Sequence, residues 1–195
     1  MRKLIKKLLR ENLYEAITQK PMFARGVEHQ IYLSKSDPNI VFKVGYPKSV
    51  DRFVSVFTSN PEYFPKIFKV GNLTWQGKPF KYAKIERLNT ERVISEWNYI
   101  TGKLDEVGIL DTDSNLLEDV SDIFKSAITE DSEYETYITS KLQQHDKKAY
   151  KLFIDWLNFL HHVNSIVEPV KHKILDIHKY NFGYDSSGKM KCLDI

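Results

Sequence analysis

Leu175-Asp176-Ile177-His178-Lys179-Tyr180-Asn181-Phe182-Gly183 and, at the end of the chain, Leu193-Asp194-Ile195 decide the reading of the fold. Asn181 lies five residues after Asp176, and Asp194 thirteen after Asn181. Between them, Phe182-Gly183-Tyr184 and Lys189-Met190-Lys191-Cys192-Leu193 flank Asp185-Ser186-Ser187-Gly188. That turn composition predicts a hairpin, which brings the loop before its first strand and the exit of its second to one end. Asp176, Asn181 and Asp194 then converge. Any one Asp at such a place is also ordinary turn chemistry. Three oxygen-bearing side chains together suit Mg²⁺, a hard cation that takes carboxylates, amide oxygens, water and phosphate. Two carboxylates brought together need a cation, or one must take up a proton.

Upstream, Met22-Phe23-Ala24, Gln30-Ile31-Tyr32-Leu33-Ser34 and Ile40-Val41-Phe42-Lys43-Val44 predict three antiparallel strands, the last two joined by a turn at Lys35 to Asn39. Lys43 sits inside an apolar strand: either its ammonium meets an anion or it lies on an edge or solvated face. Pro47 to Ser59 predicts a short helix whose apolar face is Val50, Phe53, Val54 and Phe57. Phe64 to Val70 and Pro79 to Ile85 predict two more strands, with turns at Gly71-Asn72 and Gln76-Gly77-Lys78. Asn89 or Thr90 can cap a helix carrying Val93, Ile94, Trp97, Ile100 and Leu104. Lys147 to Val167 is the strongest helical pattern and should be the buried centre of the second half, ending at Glu168-Pro169. Its His161-His162 pair diverges by about 100° on a helix and cannot ligate one ion from a single face.

Of 195 residues, 42% are hydrophobic, and no apolar run reaches the roughly 18 needed to span a bilayer. The N-terminus lacks the apolar core of a secretory signal, so a cytoplasmic protein is expected. A single cysteine, Cys192, excludes an internal disulfide and a thiolate metal site. A net charge of +3 gives no specific nucleic-acid signal, but the charge is unevenly placed. Residues 1–20 carry six Lys/Arg against two Glu and predict an amphipathic basic helix ended by Pro21. That helix reads either as a membrane-surface or partner contact, or as a helix packed on the domain with a solvated basic face. Residues 105–135 carry eleven Asp/Glu against Lys125 alone. Within them Leu116, Leu117, Val120, Ile123 and Phe124 suit a helix. Asp111-Thr112-Asp113-Ser114-Asn115 opens like a calcium loop, but Leu116 stands where that loop needs glycine.

Asp176-Ile177-His178-Lys179-Tyr180-Asn181 resembles the catalytic loop of the protein-kinase-like superfamily, closest to its aminoglycoside-phosphotransferase branch. Leu193-Asp194-Ile195 is similar to the start of that superfamily's Asp-Phe-Gly segment, Val41-Phe42-Lys43 to its phosphate-binding lysine strand, and Glu86-Arg87-Leu88 to the hinge on which adenine docks. The likeness spans about residues 22–195. After the basic amphipathic helix read over 1–20, it implies an α+β, two-lobed fold: an N-lobe over 21–89 with a five-stranded antiparallel sheet and one helix, and a reduced helical C-lobe over 90–195. It also implies ATP and Mg²⁺ as cofactors. Lys43 would contact the α/β-phosphates, Gly26 would lie in the phosphate loop, and Glu86 and Leu88 would dock adenine. Asn181 and Asp194 would hold Mg²⁺, with Asn181 also counted among the nucleotide contacts, and Asp176 would orient or deprotonate the attacking hydroxyl.

Three features depart from the pattern. Arg25-Gly26-Val27-Glu28-His29-Gln30 has one glycine where a glycine-rich loop is usual, so backbone approach to the phosphates would be looser or be supplemented by Arg25 or His29. Ile174 stands where His usually precedes the catalytic Asp. Nothing follows Ile195, so a minimal form without the usual substrate-binding helices is expected. The acidic stretch could supply part of that surface for a basic protein or aminoglycoside-like cation, or be a solvated face. Asp51, then Glu62, are the acidic partners expected for Lys43. The function implied is γ-phosphate transfer from ATP to a protein or small-molecule hydroxyl. Its alternative is a catalytically weak or inactive pseudokinase acting as a nucleotide-binding or partner-docking module.

Overall fold

The structure is a computed structural model that describes residues 17–23, 29–75, 77–110, 120–129, 132–171 and 175–194. It is α+β and divides into two compact units, Met1–Leu88 and Asn89–Ile195. No helix among the described residues is long and apolar enough to cross a membrane.

The first unit is built on an antiparallel sheet. Strands β2 (His29–Ser34), β3 (Ile40–Gly45), β4 (Ile67–Trp75) and β5 (Lys78–Glu86) form its body. A fifth, β1 (Ile17–Phe23), joins at the edge through an interrupted register, giving the order β1-β2-β3-β5-β4. All six residues of β3 are buried, as a central strand covered on both faces requires. Between β3 and β4 runs helix α1 (Pro47–Ser59), which starts at Pro47, where a missing amide costs nothing. It buries Val50, Phe53, Val56 and Phe57. Phe57 stacks on Phe64 with ring centroids 4.7 Å apart.

Three expectations for this unit are corrected. Residues 17–20, assigned above to the end of the basic helix, are strand, and Pro21 lies within β1 rather than ending a helix. Pro21 is tolerated there because β1 is an edge strand with a register break beside it. Residues 1–16 lie outside the described residues. Val56, not Val54, completes the buried face of α1. Gly71-Asn72 is not a turn: β4 runs straight through it, and the chain reverses at Gly77, whose φ is +73°. The glycine at 71 serves close approach instead, since a Cβ there would fall 2.6 Å from the Tyr82 hydroxyl.

In the second unit, α2 (Thr90–Glu106) is capped by Asn89, whose side chain accepts from the amides of Glu91 (3.0 Å) and Arg92 (3.4 Å). Helices α3 (Val120–Thr129) and α4 (Ser132–His145) follow, then the long α5 (Lys147–Lys171). The core is aromatic. Trp156 of α5 meets Trp97 of α2 edge-on at 5.3 Å, and Phe153 stacks on Phe124 of α3 at 4.9 Å. Each such pair is worth about 0.5–1.5 kcal/mol beyond its buried area. The α4 helix is one the hydrophobic pattern does not announce: among its described side chains only Ile138 and Leu142 are buried hydrophobics. Pro169 does not end α5, which continues to Lys171. A proline this near a C-terminus removes only one late hydrogen bond. The calcium-like run 111–115 lies outside the described residues. In the rest of the acidic stretch α2 runs to Glu106, Val120, Ile123 and Phe124 lie on the helix α3 as their spacing suggests, and α4 begins at Ser132.

Candidate active site

The expected site residues fall in both units. In the first, Lys43 lies mid-strand, in register with Ile31 on β2 and Ala83 on β5. It is one of the largest fully buried side chains, 1% exposed. Its Nζ sits 4.7 Å from the centroid of Phe53 and 5.9 Å from that of Phe57, both on α1. Desolvated cation–π contacts of this kind contribute about 2 kcal/mol. An inward lysine, rather than an edge or solvated one, is therefore what the fold produces.

Asp51 is engaged elsewhere: Lys81 Nζ donates to it at 2.6 Å. The register explains this, because Gly45 opposite Lys81 ends β3 and leads straight into α1. Glu62 lies past the end of α1 and is exposed. Gly26 and Arg25 lie outside the described residues. His29, at the start of β2, is buried. Its Nε2 is 2.6 Å from Ser49 Oγ on α1, and its ring meets Phe53 edge-on at 5.3 Å.

Glu86 ends β5 and Leu88 is buried beyond it. The Glu86 amide donates to the Lys66 carbonyl (2.9 Å) and the Arg87 amide to the Asn39 carbonyl (2.8 Å). Both amides are thus used within the unit. Of these three residues, only Leu88 has an amide outside those bonds.

In the second unit the terminal segment folds as its spacing implies. Leu175 and Ile177 are buried while Asp176 and His178 are exposed, so alternate residues anchor the loop and present the acid. The Leu175 amide donates to Asn164 Oδ1 on α5 at 3.0 Å, in the interior. Lys179–Asn181 make one 3₁₀ turn, with His178 Nδ1 accepting from the Tyr180 amide. Asn181 Nδ2 donates to the Asp176 carbonyl (2.9 Å) and to its carboxylate Oδ2 (3.3 Å). Because the amide hydrogens are turned to Asp176, the amide oxygen is the atom left to ligate a cation.

The hairpin pairs β6 (Phe182–Tyr184) with β7 (Met190–Cys192). Its turn is held by Asp185, which accepts from the Ser187 hydroxyl (2.7 Å) and the Ser187 and Lys189 amides (2.9 Å each). Gly188 supplies the positive φ of +80°. After β7 the Leu193 amide donates to the Asn181 carbonyl at 2.7 Å. The Cys192 thiol donates to the Asp194 carbonyl at 3.0 Å. The backbone at residue 194 is thereby returned beside Asn181, while the side-chain bonds join Asn181 to Asp176 alone. Among the described residues no three His, Cys, Asp or Glu side chains form a metal-binding group. Asn181 and Asp194 offer two oxygen ligands, and a cation held there would take the rest from phosphate and water, the habit of Mg²⁺.

Sequence reasoning missed three supporting groups. Asn164 is a polar residue on the apolar side of α5, and Ser49 pairs with His29 across 20 positions of sequence. The largest is a network on Glu96 of α2. Its Oε2 accepts from the Tyr184 hydroxyl (2.6 Å) and Trp156 Nε1 (3.3 Å), and its Oε1 from Arg92 Nε (2.9 Å). The Arg92 guanidinium lies 3.8 Å over the Tyr184 ring. The Tyr184 backbone bonds Asn89 in both directions, at 2.8 and 2.9 Å. Burial, then the Glu96 contact, push the Tyr184 hydroxyl well above its ordinary pKa. A Glu three residues after Val93 and one before Trp97, beside the buried stripe of α2, is the signal that could have found it. No protein-family model matches the chain, and no curated protein matches it either.

Proposed function

We propose that the chain is a kinase-like phosphotransferase that moves the γ-phosphate of Mg²⁺-bound ATP to a hydroxyl of a protein or small molecule. The observation that carries this reading is the double hold of Asn181, which binds Asp176 through its side chain and the residue before Asp194 through its carbonyl. Phosphoryl transfer asks mainly for positioning and charge neutralisation, and the residues present have that character. Asp176 is an exposed carboxylate held in place, able to orient or take the proton of an attacking hydroxyl. Asn181 and Asp194 would hold Mg²⁺, which supplies neutralisation of phosphate charge. Lys43 would meet the α/β-phosphates. At about 4 Å and an effective dielectric near 20, one such attraction is worth about 4 kcal/mol before desolvation. The order of strands with α1 between β3 and β4 also supports the reading.

The second reading, a pseudokinase that docks a partner, is favoured by one observation: the Glu86 and Arg87 amides are already bonded, which leaves a purine fewer backbone donors. Two measurements separate the readings. Transfer or hydrolysis of the γ-phosphate with Mg²⁺ should fall at least about 100-fold in Asp176→Ala, and equal rates in the two proteins would sink the catalytic role. A thermal shift with ATP and Mg²⁺ at about 100 times the dissociation constant should stabilise the wild type by about 2.7 kcal/mol. Its absence there, or its persistence in Lys43→Ala/Asp194→Ala, would refute nucleotide binding at these residues.

A further inference from the structure

β4 is the outer strand of its sheet: it pairs with β5, and among the described residues no strand lies along its other side. Such an edge presents a row of backbone donors and acceptors to which another chain can add. This one also keeps apolar side chains in water. Phe68 is 47% and Val70 38% exposed, and the Lys66 ammonium stands 5.4 Å from the centre of the Phe68 ring. The charge along the edge is one-sided. From residue 66 to residue 86 the chain carries Lys66, Lys69, Lys78, Lys81 and Lys84 against one acid, Glu86. Lys81 is held by Asp51; among the described residues no ion pair joins the other four to a carboxylate. Lys69 and Lys84 are direct register partners, two like charges facing each other across the strands, which is unfavourable until an anion comes between them.

We propose that this edge takes up an acidic, extended segment of a partner protein, which adds to β4 as one more strand. Charge complementarity selects that occupant. A second copy of the chain is a poor one, because β4 paired with itself brings its lysines against their twins. The register also sets the pattern of the segment. Lys69 shares a face with Lys84, and Val70, the next residue, shares the opposite face with Ala83. Side chains of an added strand alternate in the same way, so acidic residues meet the lysines while apolar ones cover Val70. Main-chain bonds then hold the segment, and the lysines choose it. The proposal does not depend on the phosphotransferase reading.

The test titrates the full chain with short fluorescent peptides. One in which glutamate and valine alternate should bind with a dissociation constant below about 1 mM and protect the β4 amides from hydrogen exchange. The same peptide with lysine for glutamate should not bind. Lys69→Glu/Lys84→Glu should weaken the glutamate peptide at least about 10-fold and let the chain accept the lysine peptide. No binding below about 1 mM, protection only outside β4, or equal affinity of this variant and wild type for the glutamate peptide would overturn the proposal. A third peptide, with proline at each valine, keeps the charge but cannot pair as a strand. Equal affinity for it would show a plain electrostatic contact and overturn strand addition. If the double variant fails to fold, the lysine and proline peptides decide on the wild type. Dimerisation of the free chain that is abolished by Phe68→Glu would assign the edge to a second copy and overturn the proposal as well.

Discussion

Replacing Glu96 by alanine should destabilise the second unit more than any surface change of equal size. The carboxylate accepts from the Tyr184 hydroxyl and from Trp156 Nε1, whose side chains are 8% and 0% exposed. A buried donor left without its acceptor costs about 1–3 kcal/mol. Two of them give about 3 kcal/mol, taking the lower half of that range because water can enter the space that the removed carboxylate leaves. Arg92 adds little to the sum. Its side chain is 53% exposed and can exchange Glu96 for solvent. For a chain of this length, about 3 kcal/mol corresponds to a melting-temperature loss of about 6–12 °C. Urea unfolding followed by tryptophan fluorescence reads it directly, since Trp97 and Trp156 lie in this core. A double-mutant cycle with Tyr184→Phe isolates the 2.6 Å bond, with an expected coupling of about 1.5–3 kcal/mol for a hydrogen bond to a charge. A loss under about 1 kcal/mol for Glu96→Ala, or strict additivity in the cycle, would refute the network as the fastening of the hairpin.

Asn164→Ala should cost about 1–3 kcal/mol by orphaning the buried Leu175 amide, and Asn164→Asp, which keeps an acceptor, should recover most of it; equal stability of Asn164→Ala and wild type would refute the anchor. Gly71→Ala should cost about 1–3 kcal/mol, because its Cβ must displace the buried Tyr82 ring; a change under about 0.5 kcal/mol in urea unfolding would show that the ring moves freely. Asp185 makes the hairpin acid-sensitive. Burial raises its pKa, but the Ser187 hydroxyl, the Lys189 amide and Lys191 outweigh that and leave it below its ordinary value. A depressed carboxylate pKa contributes stability that is complete above the unfolded value near 3.9 and is lost as pH falls through the lower folded value. Wild type and Asp185→Asn should therefore differ most at neutral pH and converge in strong acid, and a constant difference from pH 7 to 2 would contradict the assignment.

What the sequence disclosed depends on how far apart in the chain the cooperating groups lie. The strands were legible because period-two alternation and turn residues act over a few positions. Gly71 misled for a related reason: glycine signals a turn when only neighbours are considered. Its actual requirement comes from Tyr82, eleven residues on and opposite it in the sheet. Residues 17–20 misled because Ile17 extends the helical stripe of Leu4 to Leu13. Its partner Ser34, which makes it strand, is a tertiary choice that periodicity cannot contain.

The same rule separates the parts of the candidate site. Asp176 and Asn181 are five residues apart and share a direct bond, so their spacing nearly determined their geometry. Asp194 is thirteen residues beyond Asn181, but a hairpin lies between, and the Leu193 amide closes the distance on the Asn181 carbonyl. Glu96 meets Trp156 and Tyr184 across 60 and 88 residues, and no local pattern could have joined them. Asp51 lies between these cases. It was paired with Lys43 on helix position alone, yet Lys81 reaches it from a strand 30 residues away. The choice follows from solvation. Lys81 and Asp51 keep 26% and 53% of their side-chain surface in water, so their ion pair forms without the large desolvation cost of bringing that carboxylate in to a lysine 1% exposed. Around Lys43 the same helix, α1, brings aromatic faces instead of an acid: the Lys43 Nζ lies over the rings of Phe53 and Phe57, two and six residues beyond the Asp51 that turns to Lys81.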